Sequence, residues 1–268
     1  MMTQTTAFAA FTGWNDASES ASGALRAIRE QFSWQEVARL NADKYVDLQI
    51  SRPQIFTDDA GKRQVTWPDT VIYRVDPGNA GEPFYTLEGP EPSLRWRKYC
   101  RKLCSLLRKQ GVTRLVTFGS LLADCPHSRP LPVNRNSESP EHTARPNSYQ
   151  GPIGIPTILL RLAAERDYEA VSLWARVPHY LSQEQCPPAA LALAEQAQSF
   201  LSVPLDLEPL RLNTAQWREK ITNEMAQNES LAAYVSQLEE DYDANHPLQQ
   251  ASGAEIVREV ERFLREQS

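Results

Sequence analysis

Apolar residues along this chain fall into two kinds of run. Short, unbroken runs with β-branched or aromatic members suit buried strands, and they occur at Ala7 to Phe11, Tyr45 to Ile50, Val71 to Val75, Phe84 to Leu87, Leu115 to Phe118 and Val171 to Ala175. Runs at helical spacing alternate with them. One follows Asp16, which can cap it with Glu19 three residues on, and carries Ala17, Ala21, Ala24, Leu25 and Ile28 on one stripe. A second runs from Pro92 through Trp96, Tyr99, Leu103 and Leu107 to Gly111, and a third lies near Pro156 to Glu165. Turn residues at Thr57 to Gly61 and at Asp76-Pro77-Gly78-Asn79 separate strands, and the second turn closes a hairpin between the strands at 71–75 and 84–87.

The repeated order strand, helix, strand predicts an α/β fold. The expected architecture is a three-layer α/β/α sandwich with a mixed, partly parallel central sheet and helices on both faces. From Pro187 the pattern becomes helical only: Pro187 to Leu201, a long helix marked by Trp217 to Tyr242, and a third with Ile256, Val260 and Phe263, the last two separated by His246-Pro247. The chain therefore divides into an α/β sandwich domain, 1–201, and a C-terminal helical extension, 202–268. Helices draw most of their stability from packing an apolar face, so the extension must dock on the body or on another subunit. Residues 126–150 are polar and Pro-containing, the pattern of a lid, an interface arm or a disordered loop.

With 268 residues the chain can bury a large core without a disulfide or metal staple. A net charge of −6 argues against nucleic acid, and the one basic cluster, Arg95, Arg97, Lys98, Arg101 and Lys102, reads as a solvated helix face. There is no stretch of eighteen apolar residues and no leader-like start, so neither a membrane nor secretion is expected. The cysteines Cys100, Cys104, Cys125 and Cys186 form no CxxC pair and read as reduced thiols of a cytoplasmic protein.

In open α/β sheets ligands bind beyond the carboxyl ends of parallel strands, where short loops after separate strands meet at one rim. That rule selects Trp14, Asn15 and Asp16 after the first strand, Glu91 and Arg95 before the Trp96 helix, Ser120 after the central strand, His127 and Arg129 in the next loop, and His179 and Tyr180 after the last strand. A serine nucleophile would pair Ser120 or Ser128 with His127 or His179 and Asp16, but the GxSxG elbow is absent. An anion pocket would use the amides of Gly119 and Ser120 with Arg95 or Arg129 as a clamp, but no P-loop or dinucleotide fingerprint is present. Otherwise Arg95 pairs with Glu91 along the helix. The histidines at 127, 142, 179 and 246 complete no metal set, so no metal and no cofactor is expected.

These segments carry a resemblance. Ala9 to Asp16, Arg52-Pro53, Trp67-Pro68, Gly89-Pro90-Glu91-Pro92 with Trp96, Pro126 to Pro130, Gly151-Pro152 and Val177 to Tyr180 resemble, in order, the bacterial branch of the proteasome assembly chaperone 2 family over roughly residues 7–205. The resemblance implies a phosphorylase/hydrolase-like sandwich, self-association, and protein clients of the kind that eukaryotic and archaeal relatives find in proteasome subunits. It supplies no catalytic residues. The terminus Arg265-Glu266-Gln267-Ser268 lacks the hydrophobic-tyrosine tail with which proteasome-docking relatives often end. The expected function is a non-enzymatic, chaperone-like binding protein that forms a homo-oligomer. The alternative is a small-ligand protein or enzyme using nucleoside- or phosphate-type ligands in the strand-end cleft.

Overall fold

The structure is a computed structural model that describes residues 4–138, 150–181 and 185–245. Its centre is a seven-stranded mixed sheet. The strands are β1 (Thr6–Thr12), β2 (Ser33–Leu40), β5 (Thr70–Asp76), β6 (Phe84–Pro90), β7 (Arg114–Ala123), β8 (Val133–Glu138) and β9 (Glu169–Pro178), in the order β2-β5-β6-β1-β7-β9-β8. The central four, β6, β1, β7 and β9, are parallel, while β5, β2 and β8 join antiparallel at the edges. A separate hairpin, β3 (Gln54–Thr57) with β4 (Arg63–Thr66), stands outside this sheet.

Both faces of the central strands are covered, which is why they read as unbroken apolar runs. Phe8 and Ala10 of β1 face a layer made by α1 (Ser20–Arg29), α4 (Pro187–Ala197) and α5 (Glu208–Ala226), whose Trp217 and Ile221 lie in the same buried cluster. Ala7, Ala9 and Phe11 face the opposite layer, α2 (Trp96–Lys109) and α3 (Ile155–Ala164), through Tyr99, Leu103, Leu107 and Leu159. The exposed side of α2 carries Arg97, Lys98, Arg101 and Lys102, the solvated basic face. All four cysteines are free and buried, and burial pushes the Cys125 thiol up to about 11 and that of Cys186 up to about 12.

Several local expectations change. Tyr45 to Ile50 is not a strand: the amides of Tyr45 and Val46 both donate to the Ala42 carbonyl, closing a turn that buries the two side chains. Instead β2, β3 and β4 fill that half of the chain, and β8 lies within the supposed loop 126–150. Helix α2 begins at Trp96 rather than Pro92, because Arg95 adopts φ 56°. Glu19 also has positive φ and makes no capping box, so Asp16 alone caps α1, from four residues before its start. Gly119 and Ser120 lie inside β7, not after it. The long C-terminal helix is two, α5 and α6 (Glu229–Asn245), because the Asn228 Oδ1 accepts the amides of Ser230 and Leu231 and starts a new helix. The predicted third helix and His246-Pro247 lie outside the described residues.

Candidate functional site

The carboxyl ends of β6, β1, β7 and β9 form one rim, and the residues selected from sequence gather there in two groups. The first is built on the β1–α1 turn. Asn15 is buried and donates through Nδ2 to Glu91 Oε1 at 2.7 Å, and the same carboxylate oxygen accepts the Ile155 amide at 2.9 Å. Gly154 makes this approach possible: a Cβ there would lie 1.8 Å from Asn15 Oδ1. Asp16 Oδ1 accepts the amides of Ala21 at 2.8 Å and Ser22 at 3.1 Å. Burial raises the Asp16 carboxyl above its ordinary range. Ser120 bridges back to Asp16, donating its amide to the Asn15 carbonyl at 2.9 Å and its hydroxyl to the Ala17 carbonyl at 3.0 Å.

The second group lies under the C-terminal helices. The His127 amide donates to Tyr180 Oη at 2.9 Å, and its ring Nδ1 lies 2.8 Å from the same oxygen. His127 Nε2 lies 3.2 Å from Thr222 Oγ1 of α5, and burial lowers the imidazole pKa. Arg129 grips Asp243 of α6 with Nε at 2.9 Å and Nη2 at 2.7 Å. His179 lies 3.2 Å from the Asp124 carboxylate, and its ring meets Tyr234 at 5.7 Å between centroids. Burial also raises the Tyr180 phenol.

Asn15, Asp16, Glu91, Ser120 and His127 are thus engaged within the protein. Neither a serine-histidine pair nor the anion clamp assembles, because Ser120 is spent on backbone carbonyls, Ser128 donates to Glu239, and Arg129 is held by α6. Arg95 is exposed at the start of α2, away from Glu91, whose carboxylate is held by Asn15 and Ile155. Among the described residues no three His, Cys, Asp or Glu side chains gather as metal ligands.

The rim also presents an apolar surface. A cleft of about 610 Å³ opens between Trp14, Leu121, Leu122 and Ile153, floored by Trp174 with Asn134 and Asn136. Trp174 can lie flat on the sheet because position 119 is glycine: a Cβ there would sit 2.6 Å from its ring. Trp14 is 66% exposed and Leu122 47%. Outside the cleft, the separate β3–β4 hairpin also exposes Ile55, Phe56 and Val65. Leu121, Leu122, Ile153 and the hairpin were not singled out from the sequence, since an exposed and a buried leucine look alike without coordinates. The paired Asn134 and Asn136, two apart on one strand face, are the nearest thing to a signal.

A mixed sheet between two helical layers, with its loops gathered at one carboxyl-end rim, defines a three-layer α/β/α sandwich protein. The chain belongs to the PAC2 family, whose model matches residues 10–225. It is similar to a PAC2 family protein from Streptomyces avermitilis MA, at 35% identity and a TM-score of 0.77 over 87% of this chain and 100% of that one. A proteasome-assembly chaperone homologue of Mycobacterium tuberculosis is 32% identical, with a TM-score of 0.77 over 86% of this chain and 99% of that one. PbaB of Pyrococcus furiosus, an archaeal proteasome activator, shares the fold at 13% identity and a TM-score of 0.62, over 83% and 94% of the two chains. No curated protein matches. Among the described residues, no helix is long and apolar enough to cross a membrane.

Proposed function

We propose that this chain is a non-enzymatic, chaperone-like binding protein that engages a protein client through its apolar carboxyl-end rim. One observation carries the reading: four large hydrophobic side chains exposed to solvent, Trp14, Leu121, Leu122 and Ile153, line one cleft at that rim. Soluble surfaces scatter such residues singly, and a contiguous group rimmed by polar atoms marks a contact surface. The inward engagement of Asn15, Asp16, Glu91, Ser120 and His127 supports binding over chemistry, and leaves a nucleoside- or phosphate-type ligand few polar groups to meet. Two similar proteins, a proteasome-assembly chaperone homologue and an archaeal proteasome activator that shares the fold, fit the same reading.

The test is native co-purification of tagged wild type, a Trp14→Ser/Leu122→Asp variant, and a Leu212→Ser control on α5. A client recovered with wild type and control should fall by about tenfold with the rim variant, since truncating central anchors costs about 1–2 kcal/mol or more. Equal recovery with all three proteins overturns the reading. So does turnover of a small substrate that a folded Asp16→Asn variant lacks. Homo-oligomerisation and a cytoplasmic setting belong to the same proposal. Light scattering should give a mass above 30.3 kDa at micromolar concentration, and a strict monomer contradicts self-association.

A further inference from the structure

The family match ends at residue 225, before α6 begins, yet α6 lies across part of the rim. Its attachment differs from that of the other helices. Of its seventeen residues only Val235 and Leu238 are buried. The helix carries Glu229, Glu239, Glu240, Asp241 and Asp243 and has no lysine or arginine. Beneath it the acidic end, Glu239 and Asp243, meets an arginine, while Tyr234 meets an aromatic group that also holds the Asp124 carboxylate. Arg129 holds the Asp243 carboxylate in a two-point fork and lies 3.6 Å from Glu239. Ser128 also donates to Glu239, Arg218 of α5 reaches the Arg129 carbonyl at 3.4 Å, and Tyr234 packs edge-on against His179 and Tyr180.

An acidic, tyrosine-bearing helix whose Glu239 and Asp243 meet Arg129 and whose Tyr234 meets His179 and Tyr180 is held by a charge-complementary contact with little apolar burial. Such contacts weaken with salt and with single charge reversals, unlike a packed core. A break at Gln227 and Asn228 lets α6 pivot without disturbing α5, whose Trp217 and Ile221 are buried in the body. We infer that α6 is a displaceable cover over the Arg129–His179–Tyr180 patch, and that the patch is a docking site for an acidic, tyrosine-bearing helix of a partner, occupied in cis by α6. This inference stands independently of whether the apolar rim binds a client.

Two measurements on the full chain test it. In the first, amide hydrogen exchange is followed in residues 229–245. Arg129→Glu should lower protection there by about tenfold or more while β1 and β7 keep theirs, because local opening and global unfolding are separate equilibria. The swapped pair Arg129→Glu/Asp243→Arg should restore protection, and raising salt from about 50 to about 500 mM should lower it in wild type. Unchanged protection in Arg129→Glu, or loss that extends through β1 and β7, overturns the cover. The second titrates a fluorescein-labelled peptide of sequence 229–245 into wild type and into a Glu239→Lys/Asp243→Lys chain, in which the patch is vacated. Binding should be at least about tenfold tighter to the vacated chain, since a site already filled in cis must first be cleared. Equal binding to the two, or none to either, overturns the docking site.

Discussion

Alanine at position 154 should destabilise the protein by about 2–5 kcal/mol, the sum of an overpacking cost and the loss of a buried hydrogen bond. Glycine there leaves room for the Asn15 amide. A Cβ would sit 1.8 Å from Oδ1 and 2.5 Å from Cγ, and Asn15 is 1% exposed, so its side chain has no solvent to swing into. Moving it breaks the bond to Glu91 and loosens the strap joining the β1–α1 turn to the start of α3. Thermal melting reads the loss at roughly 2–4 °C per kcal/mol for a chain near this size. Pairing Gly154→Ala with Asn15→Ala removes the collision, so the double variant should be less destabilised than the two single losses added together. Simple additivity, or a melting temperature equal to that of wild type in Gly154→Ala alone, contradicts the account.

Asp16 should separate shape from charge. Asp16→Ala strips the acceptor from two amides at the start of α1 and should cost about 2–4 kcal/mol, as expected for a lost cap that leaves buried donors unpaired. Asp16→Asn keeps an oxygen in that position and should stay within about 1 kcal/mol of wild type at neutral pH. The two should differ in pH dependence. Burial raises the folded-state pKa of Asp16 above its ordinary value, so the native chain holds this proton more tightly than the unfolded chain does. The resulting contribution is fully present below the unfolded pKa, near 3.8, and is lost as pH rises through the folded value. Relative to Asp16→Asn, wild type should gain stability on acidification through that window. Urea unfolding of both variants at several pH values measures it, and parallel curves would show that burial does not perturb the carboxyl.

How far the fold could be read ahead depended on burial. Strands β1, β5, β6, β7 and β9 were legible because each carries a run of apolar residues, and Asp76 to Asn79 announced its hairpin. The strands that escaped, β2, β3, β4 and β8, pair on one side only or stand apart, and their exposed residues mix polar with apolar. Tyr45 and Val46 look like strand residues because they are buried, but a turn buries them equally well. Asn228 passed for a mid-helix residue. A single side-chain oxygen there decides between one helix and two, and periodicity carries no trace of it.

Taken alone, the sequence determined the layering and the rim. Apolar runs alternating with amphipathic helices can hide their surface only in a sandwich, and parallel strands deliver their following loops to one edge. Whether the polar residues on that edge were available for chemistry was decided by the tertiary structure. Glu91 is claimed by Asn15 and Ile155, 76 and 64 positions away, and Arg129 by Asp243, 114 positions away. Local sequence governs which groups can form hydrogen bonds, but the partner that satisfies a group is whichever one folding brings within about 3 Å of it.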